Sequence, residues 1–171
     1  MKKKNRTVAF LGLCTSLAMI LAYVEVLIGP MFPAVPGIKM GLPNIVIMFL
    51  LYRKGKASAI CVSLLRIVLA SLLFGNAMSF LYSLAGAILS IAVMIVLLRM
   101  NFLSSVGVSV AGGVTHNLGQ VLTAMLLLDT SELGYYMVVL TITGTFAGIL
   151  VGLCASVLVK KIPENLFAEK K

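Results

Sequence analysis

The sequence predicts an all-α integral membrane protein, a six-helix bundle with both termini in the cytoplasm. Three observations carry that expectation. Of the 171 residues, 61% are hydrophobic and only 11% charged, against roughly 45–50% apolar and about 25% charged in soluble domains. Mean hydropathy is +1.12, more apolar surface than one water-soluble core of this length can enclose. The apolar residues also fall in runs near the ~20 residues that span hydrocarbon, separated by short basic clusters. A soluble enzyme, a disulfide scaffold and a disordered tail are thereby excluded.

The runs, taken in order, predict helices over 8–28, 57–73, 77–98, 106–128 and 135–159 within a single transmembrane domain covering 1–171. A further run from Leu42 to Tyr52 is short for a span, so it is extended backward through Gly37 and Gly41 to begin near 38. The net charge of +9 comes from clusters: Lys2, Lys3, Lys4 and Arg6, then Arg53, Lys54 and Lys56, then Arg99, then Lys160, Lys161, Lys170 and Lys171. With six spans all of these fall on one side, while the other carries Lys39, Asp129 and Glu132. Positive charge marks the cytoplasmic side; this is a topology signal and not a nucleic-acid footprint. The first run could instead read as a signal peptide, but no A-x-A site follows it and it is long enough to span. Leu11-Gly12-Leu13-Cys14 also lacks the small residue that should precede a lipidated cysteine. Cys14, Cys61 and Cys154 are widely spaced within apolar runs, which gives neither a metal nor a redox motif.

Residues 29–37 hold Pro30, Pro33 and Pro36 together with Gly29 and Gly37, yet remain apolar. Proline fixes φ and removes a donor, so a stiff, non-helical external loop is expected. It reads either as a connector or as a lid dipping into the outer leaflet over a site.

Ionisable residues at membrane depth are costly and face the bundle interior or a water-filled cavity. Arg66 lies mid-helix in the 57–73 run, and Glu25, near the outer end of the first helix, is the only acid within a span. At about 1.5 Å per residue the two differ in depth by roughly 10 Å. Arg66 is either half of a buried structural ion pair or a contact for an anionic ligand. On the fifth helix, His116 and Gln120 share a face that Thr123 continues, with Asn117 beside them. These side chains either hydrogen-bond between helices or form the wall of a binding site. No second His, Cys or carboxylate accompanies His116, so a metal site is not expected. Ala18 with Ala22, the series Gly144, Gly148, Gly152, and the face of Ser79, Ser83, Gly86 and Ser90 are small-residue patterns whose default role is close helix packing. Tyr135 and Tyr136 suit an interfacial belt.

Catalytic constellations are missing. There is no phosphate-binding Walker loop, so the chain cannot itself hydrolyse ATP. Asp129 is the only aspartate, so there is no aspartate cluster to hold Mg²⁺ against a diphosphate. The expectation is a protein that is not an enzyme, with no cofactor and no metal.

Two elements carry a resemblance. Lys39-Met40-Gly41-Leu42-Pro43-Asn44 reads Lys-x-Gly-x-x-Asn, and His116-Asn117-Leu118-Gly119-Gln120 reads His-Asn-x-x-Gln. With the chain length and six-span layout, these resemble the Gx transporter family, which is also labelled heptaprenyl diphosphate synthase component I. Pro43 stands where a small residue such as alanine is expected, which bears on where the local helix starts. That family in turn resembles the substrate-binding S components of energy-coupling-factor (ECF) transporters, small six-helix proteins that capture a vitamin or cofactor outside the cell. The resemblance implies a transmembrane coupling subunit and two ABC ATPases as partners. It further implies that Ala18 and Ala22 dock the coupling subunit and that the Pro-rich loop caps the ligand. It places the chain in a bacterial plasma membrane, surrounded by lipid.

The leading expectation is therefore a substrate-capture subunit for a small vitamin- or cofactor-like molecule. Glu25, Lys39, Asn44, Arg66, His116, Asn117 and Gln120 would line its pocket in the outer half of the bundle. Cationic and amide donors favour carboxylate, phosphate or carbonyl groups on the ligand. The alternative is a non-catalytic membrane subunit associated with isoprenoid or quinone biosynthesis, or with a membrane redox assembly. An autonomous channel or secondary transporter is weaker, because no internal repeat is evident.

Overall fold

The helix ends follow the residues that punctuate the apolar runs. The computed structural model describes residues 2–28, 41–129 and 131–162. Within them are α1 (Lys2–Ile28), α2 (Asn44–Arg53), α3 (Lys56–Phe74), α4 (Ala77–Met100), α5 (Ser105–Leu128) and α6 (Tyr136–Lys161), the last preceded by a 3-10 turn, Glu132–Tyr135. No strand occurs among the described residues. Asn76 caps α4 by accepting from the Ser79 amide at 2.8 Å, and Ser104 caps α5 by accepting from the Gly107 amide at 3.2 Å, each filling one of the orphan donors of a first turn. Asn101 and Asp129, with φ of 57° and 48°, stop α4 and α5 in the left-handed conformation.

Two boundaries differ from the sequence expectation. The first helix takes in the basic stretch and begins at Lys2. The second does not reach back to 38: Gly41 has φ +71° and Leu42 and Pro43 form a turn, so α2 starts at Asn44. Residues 38–40, like the Pro-rich loop, lie outside the described residues.

Among the described residues, four helices are long and apolar enough to cross a membrane: Asn5–Ile28, Lys56–Phe74, Ala77–Met100 and, with its 3-10 turn, Glu132–Lys161. At 24 residues α5 is equally long, but His116, Asn117, Gln120 and its glycines dilute its apolar character. With 10 residues, α2 extends only about 15 Å at 1.5 Å per residue.

That short helix occupies the centre. Val46, Ile47, Met48, Phe49, Leu50 and Leu51 are all buried, packed in one core with Cys14 and Ala18 of α1, Ala59 and Val62 of α3, Met94 of α4 and Val151 and Ala155 of α6. Apolar on every side and too short to span hydrocarbon by itself, α2 is enclosed by the other helices. Around it, α1 lies on α3 and α5 is held between α4 and α6. Large apolar side chains such as Leu13, Ile20, Leu72, Leu126 and Phe146 face outward, as lipid-facing positions do. At the end of the bundle that carries the basic clusters, the Arg53 guanidinium donates to the carbonyl oxygens of Val159 and of Ile162, the second at 3.0 Å. It thereby satisfies carbonyls left open at the end of α6.

Glycine sets the spacing of α4, α5 and α6. A Cβ added at Gly113 would lie 2.6 Å from the Gly144 carbonyl oxygen, and one at Gly148 would lie 2.6 Å from Val110 Cα. On the other face of α5, a Cβ at Gly119 would lie 2.9 Å from Gly86 Cα, and one at Gly112 would lie 2.7 Å from Met94 Sδ. Backbone therefore meets backbone on both faces, the arrangement that small residues permit between membrane helices.

Candidate functional site

Among the described residues, two cavities lie along α5. The inner one, of about 30 Å³, is enclosed by α2, α4, α5 and α6 and lined by Asn44, Ser90, His116 and Asn117 among glycines. Space on that scale suits water-sized molecules. Two of the cavity's polar side chains are committed to neighbouring helices. Asn117 Nδ2 donates to the Leu140 carbonyl at 2.7 Å, and Ser90 Oγ donates to the Gly112 carbonyl at 2.7 Å.

The outer cavity is larger, about 450 Å³, between the start of α4, the second half of α5, the 3-10 turn and the start of α6. This is within the range of roughly 300–1,000 Å³ typical of small-molecule sites. Asn76, Ser79, Tyr82, Gln120 and Tyr136 provide its polar lining, with Val121, Ala124 and Leu140 among its apolar walls. Gln120 Nε2 donates to His116 Nε2 at 3.2 Å, so one side-chain pair joins the two cavities. With Nε2 accepting, the neutral ring carries its proton on Nδ1.

The structure thus divides the site drawn from the sequence. Asn44, His116 and Asn117 come together around the inner cavity, and Gln120 opens onto the outer one. Glu25 reaches this group indirectly, since its carboxylate accepts from the amide of Gly41, which also lines the inner cavity. Arg66 lines neither cavity. It lies in the attractive field of Glu25, and its Nε is buried without a hydrogen-bond partner. Thr123 Oγ1 bonds back to the Gly119 carbonyl of its own helix at 2.8 Å. Ala18 and Ala22 are 0% and 7% exposed, so the pair is turned into the bundle and presents no docking surface here. Lys39 lies outside the described residues.

Sequence reasoning missed Asn76, Ser79, Tyr82 and Tyr136 as cavity residues. Ser79 was legible only as part of a small-residue face and Tyr136 as an interfacial ring. A polar N-cap, Asn76, followed in the helix by Ser79 and Tyr82 three residues apart was the available signal, since the i, i+3 spacing puts those two on one face. Among the described residues there is no group of three His, Cys, Asp or Glu side chains able to hold a metal ion.

Compared with known proteins, no curated protein and no solved structure matches the chain. One family model, that of heptaprenyl diphosphate synthase component I, matches residues 14–158, from the first half of α1 into the last turn of α6. The matched segment includes every residue that lines either cavity. The chain, with helices long and apolar enough to cross a membrane, therefore belongs to the heptaprenyl diphosphate synthase component I family.

Proposed function

We propose that this chain is a membrane-embedded capture subunit that receives a small molecule in its outer cavity and passes it to partner subunits. The observation that carries the reading is the cavity of about 450 Å³, with convergent amide and hydroxyl groups, on the side away from the basic clusters. The resemblance to ECF S components makes the partners a transmembrane coupling subunit and two ABC ATPases, which would supply the energy this chain has no motif to harvest. A coupling subunit meeting α1 would use the exposed Leu13, Leu17 and Ile20 face, since Ala18 and Ala22 are buried.

The family match favours a second reading, in which the chain is a non-catalytic membrane subunit of a prenyl diphosphate synthase. Native mass spectrometry of the complex extracted from its host membrane separates the two. Capture predicts a retained small molecule that disappears in Ala124→Phe, which fills the cavity, and a co-purifying ATPase pair. A chain without such a molecule, bound to a soluble prenyltransferase, would refute capture and support the synthase subunit.

A further inference from the structure

We infer that the outer cavity takes an uncharged ligand, a ring compound bearing carbonyl groups with one apolar flank. The inference rests on the capture reading and adds the chemical class of the ligand. None of the described residues lining the cavity is charged. An anion placed there would meet no cation among these residues, and charge-assisted contacts are the ones that hold an anion firmly. Arg66, the intramembrane cation that sequence reasoning assigned to ligand contact, lines neither cavity and faces the field of Glu25 instead. A diphosphate, with several charges, is the poorest fit of all.

What remains free on the walls is rich in donors. Asn76 has its Oδ1 committed to the Ser79 amide, which leaves both hydrogens of its Nδ2 available. Gln120 spends one Nε2 hydrogen on His116 and retains the other. Ser79, Tyr82 and Tyr136 add three hydroxyl groups. Carbonyl oxygens are the neutral acceptors that answer such a set, and satisfying these donors favours them over a purely hydrocarbon chain. Beside them, on the same helices as Gln120 and Tyr136, Val121, Ala124 and Leu140 provide a wall suited to an apolar ring edge.

The test uses the full chain in lipid nanodiscs and lumichrome, an uncharged three-ring compound with two carbonyl groups, read by its fluorescence anisotropy. Geranyl diphosphate serves as the anionic competitor, and empty nanodiscs correct for partition into lipid. The expected result is saturable lumichrome binding that geranyl diphosphate does not displace. Binding should weaken about tenfold in Gln120→Leu, the loss of roughly one hydrogen bond at 1.4 kcal/mol per decade, and vanish in Ala124→Phe. Circular dichroism checks that both variants keep their helices, and the Gln120→Leu arm stands if Ala124→Phe fails to fold. If lumichrome shows no saturable binding, or geranyl diphosphate binds and is lost in Ala124→Phe, the uncharged class is wrong. A host-derived molecule retained by the wild type and lost from Ala124→Phe would leave capture intact in that case. Its absence would remove both.

Discussion

Replacing Gly113 by alanine adds a single methyl group, and the geometry around it fixes what should follow. The new Cβ would lie 2.6 Å from the Gly144 carbonyl oxygen, where ordinary contact begins near 3.4 Å. The shortfall is about 0.8 Å, and the obstacle is backbone, so no side-chain rotation can relieve it. Helices α5 and α6 must part locally by that amount. One turn away, the Asn117 Nδ2 to Leu140 carbonyl bond of 2.7 Å would stretch to about 3.5 Å, the edge of a hydrogen bond. Overpacking costs about 1–3 kcal/mol, and an interhelical hydrogen bond in a membrane protein averages ≈ 0.6 kcal/mol, so a loss of about 2 kcal/mol is expected. The assay is SDS-titrated unfolding in mixed micelles, followed by circular dichroism. Gly12→Ala is the control, because nothing lies within 4 Å of its added Cβ and alanine favours a helix. The folded-to-unfolded ratio should fall about thirtyfold in Gly113→Ala and stay level or rise in Gly12→Ala. Equal stability of Gly113→Ala and wild type would refute the claim that bare backbone contact sets the α5–α6 spacing.

Three further outcomes are expected. Arg53→Ala removes the charged donor to the Val159 and Ile162 carbonyls at a cost of about 1.5–3 kcal/mol, and faster hydrogen exchange at the end of α6 would register it; unchanged exchange would contradict the clamp. Gly55→Ala forces a side chain onto φ +87°, so a loss of about 1–2 kcal/mol is expected, read as a lower unfolding midpoint, whereas an unchanged midpoint would mean that the α2–α3 turn relaxes freely. For topology, in a background with Cys14, Cys61 and Cys154 replaced, Ser131→Cys should react with a membrane-impermeant maleimide in intact cells, while Asn101→Cys should react only after permeabilisation. The reverse pattern would invert the bundle and put the outer cavity on the wrong side for capture.

Most helix positions were legible because apolar runs meet residues whose local chemistry ends a helix. Asn76, Asn101, Ser104 and Asp129 mark those ends within a residue or two of the sequence boundaries. The start of α2 was not, because it depends on the φ of Gly41, and composition says nothing about which backbone conformation a glycine adopts. The candidate site was half legible. Helical periodicity put His116 and Gln120 on one face, and their hydrogen bond agrees. Periodicity does not say which neighbour a face meets, so Asn117 could not be assigned to α6 or Arg66 to the α1–α3 side. The outer cavity escaped notice for the same reason. Its lining comes from α4, α5, the 3-10 turn and α6 together, and only packing brings them into one wall.

The glycine contacts of α5 also have a mechanical consequence. Where side chains separate two helices, rotamer changes let one slide past the other in small steps. Between α5 and its neighbours there is little such cushion: sliding α6 by one residue, about 1.5 Å, would carry the bare patch at Gly148 off Val110 and bring a side chain against that backbone. Bare backbone contact therefore opposes shear along both seams and favours α4, α5 and α6 keeping their relative register. If the chain captures a ligand as proposed, the displacement that loads or empties it falls to the side of α1 and α3, where side chains meet, as Tyr23 and Phe74 do with ring centroids 5.1 Å apart.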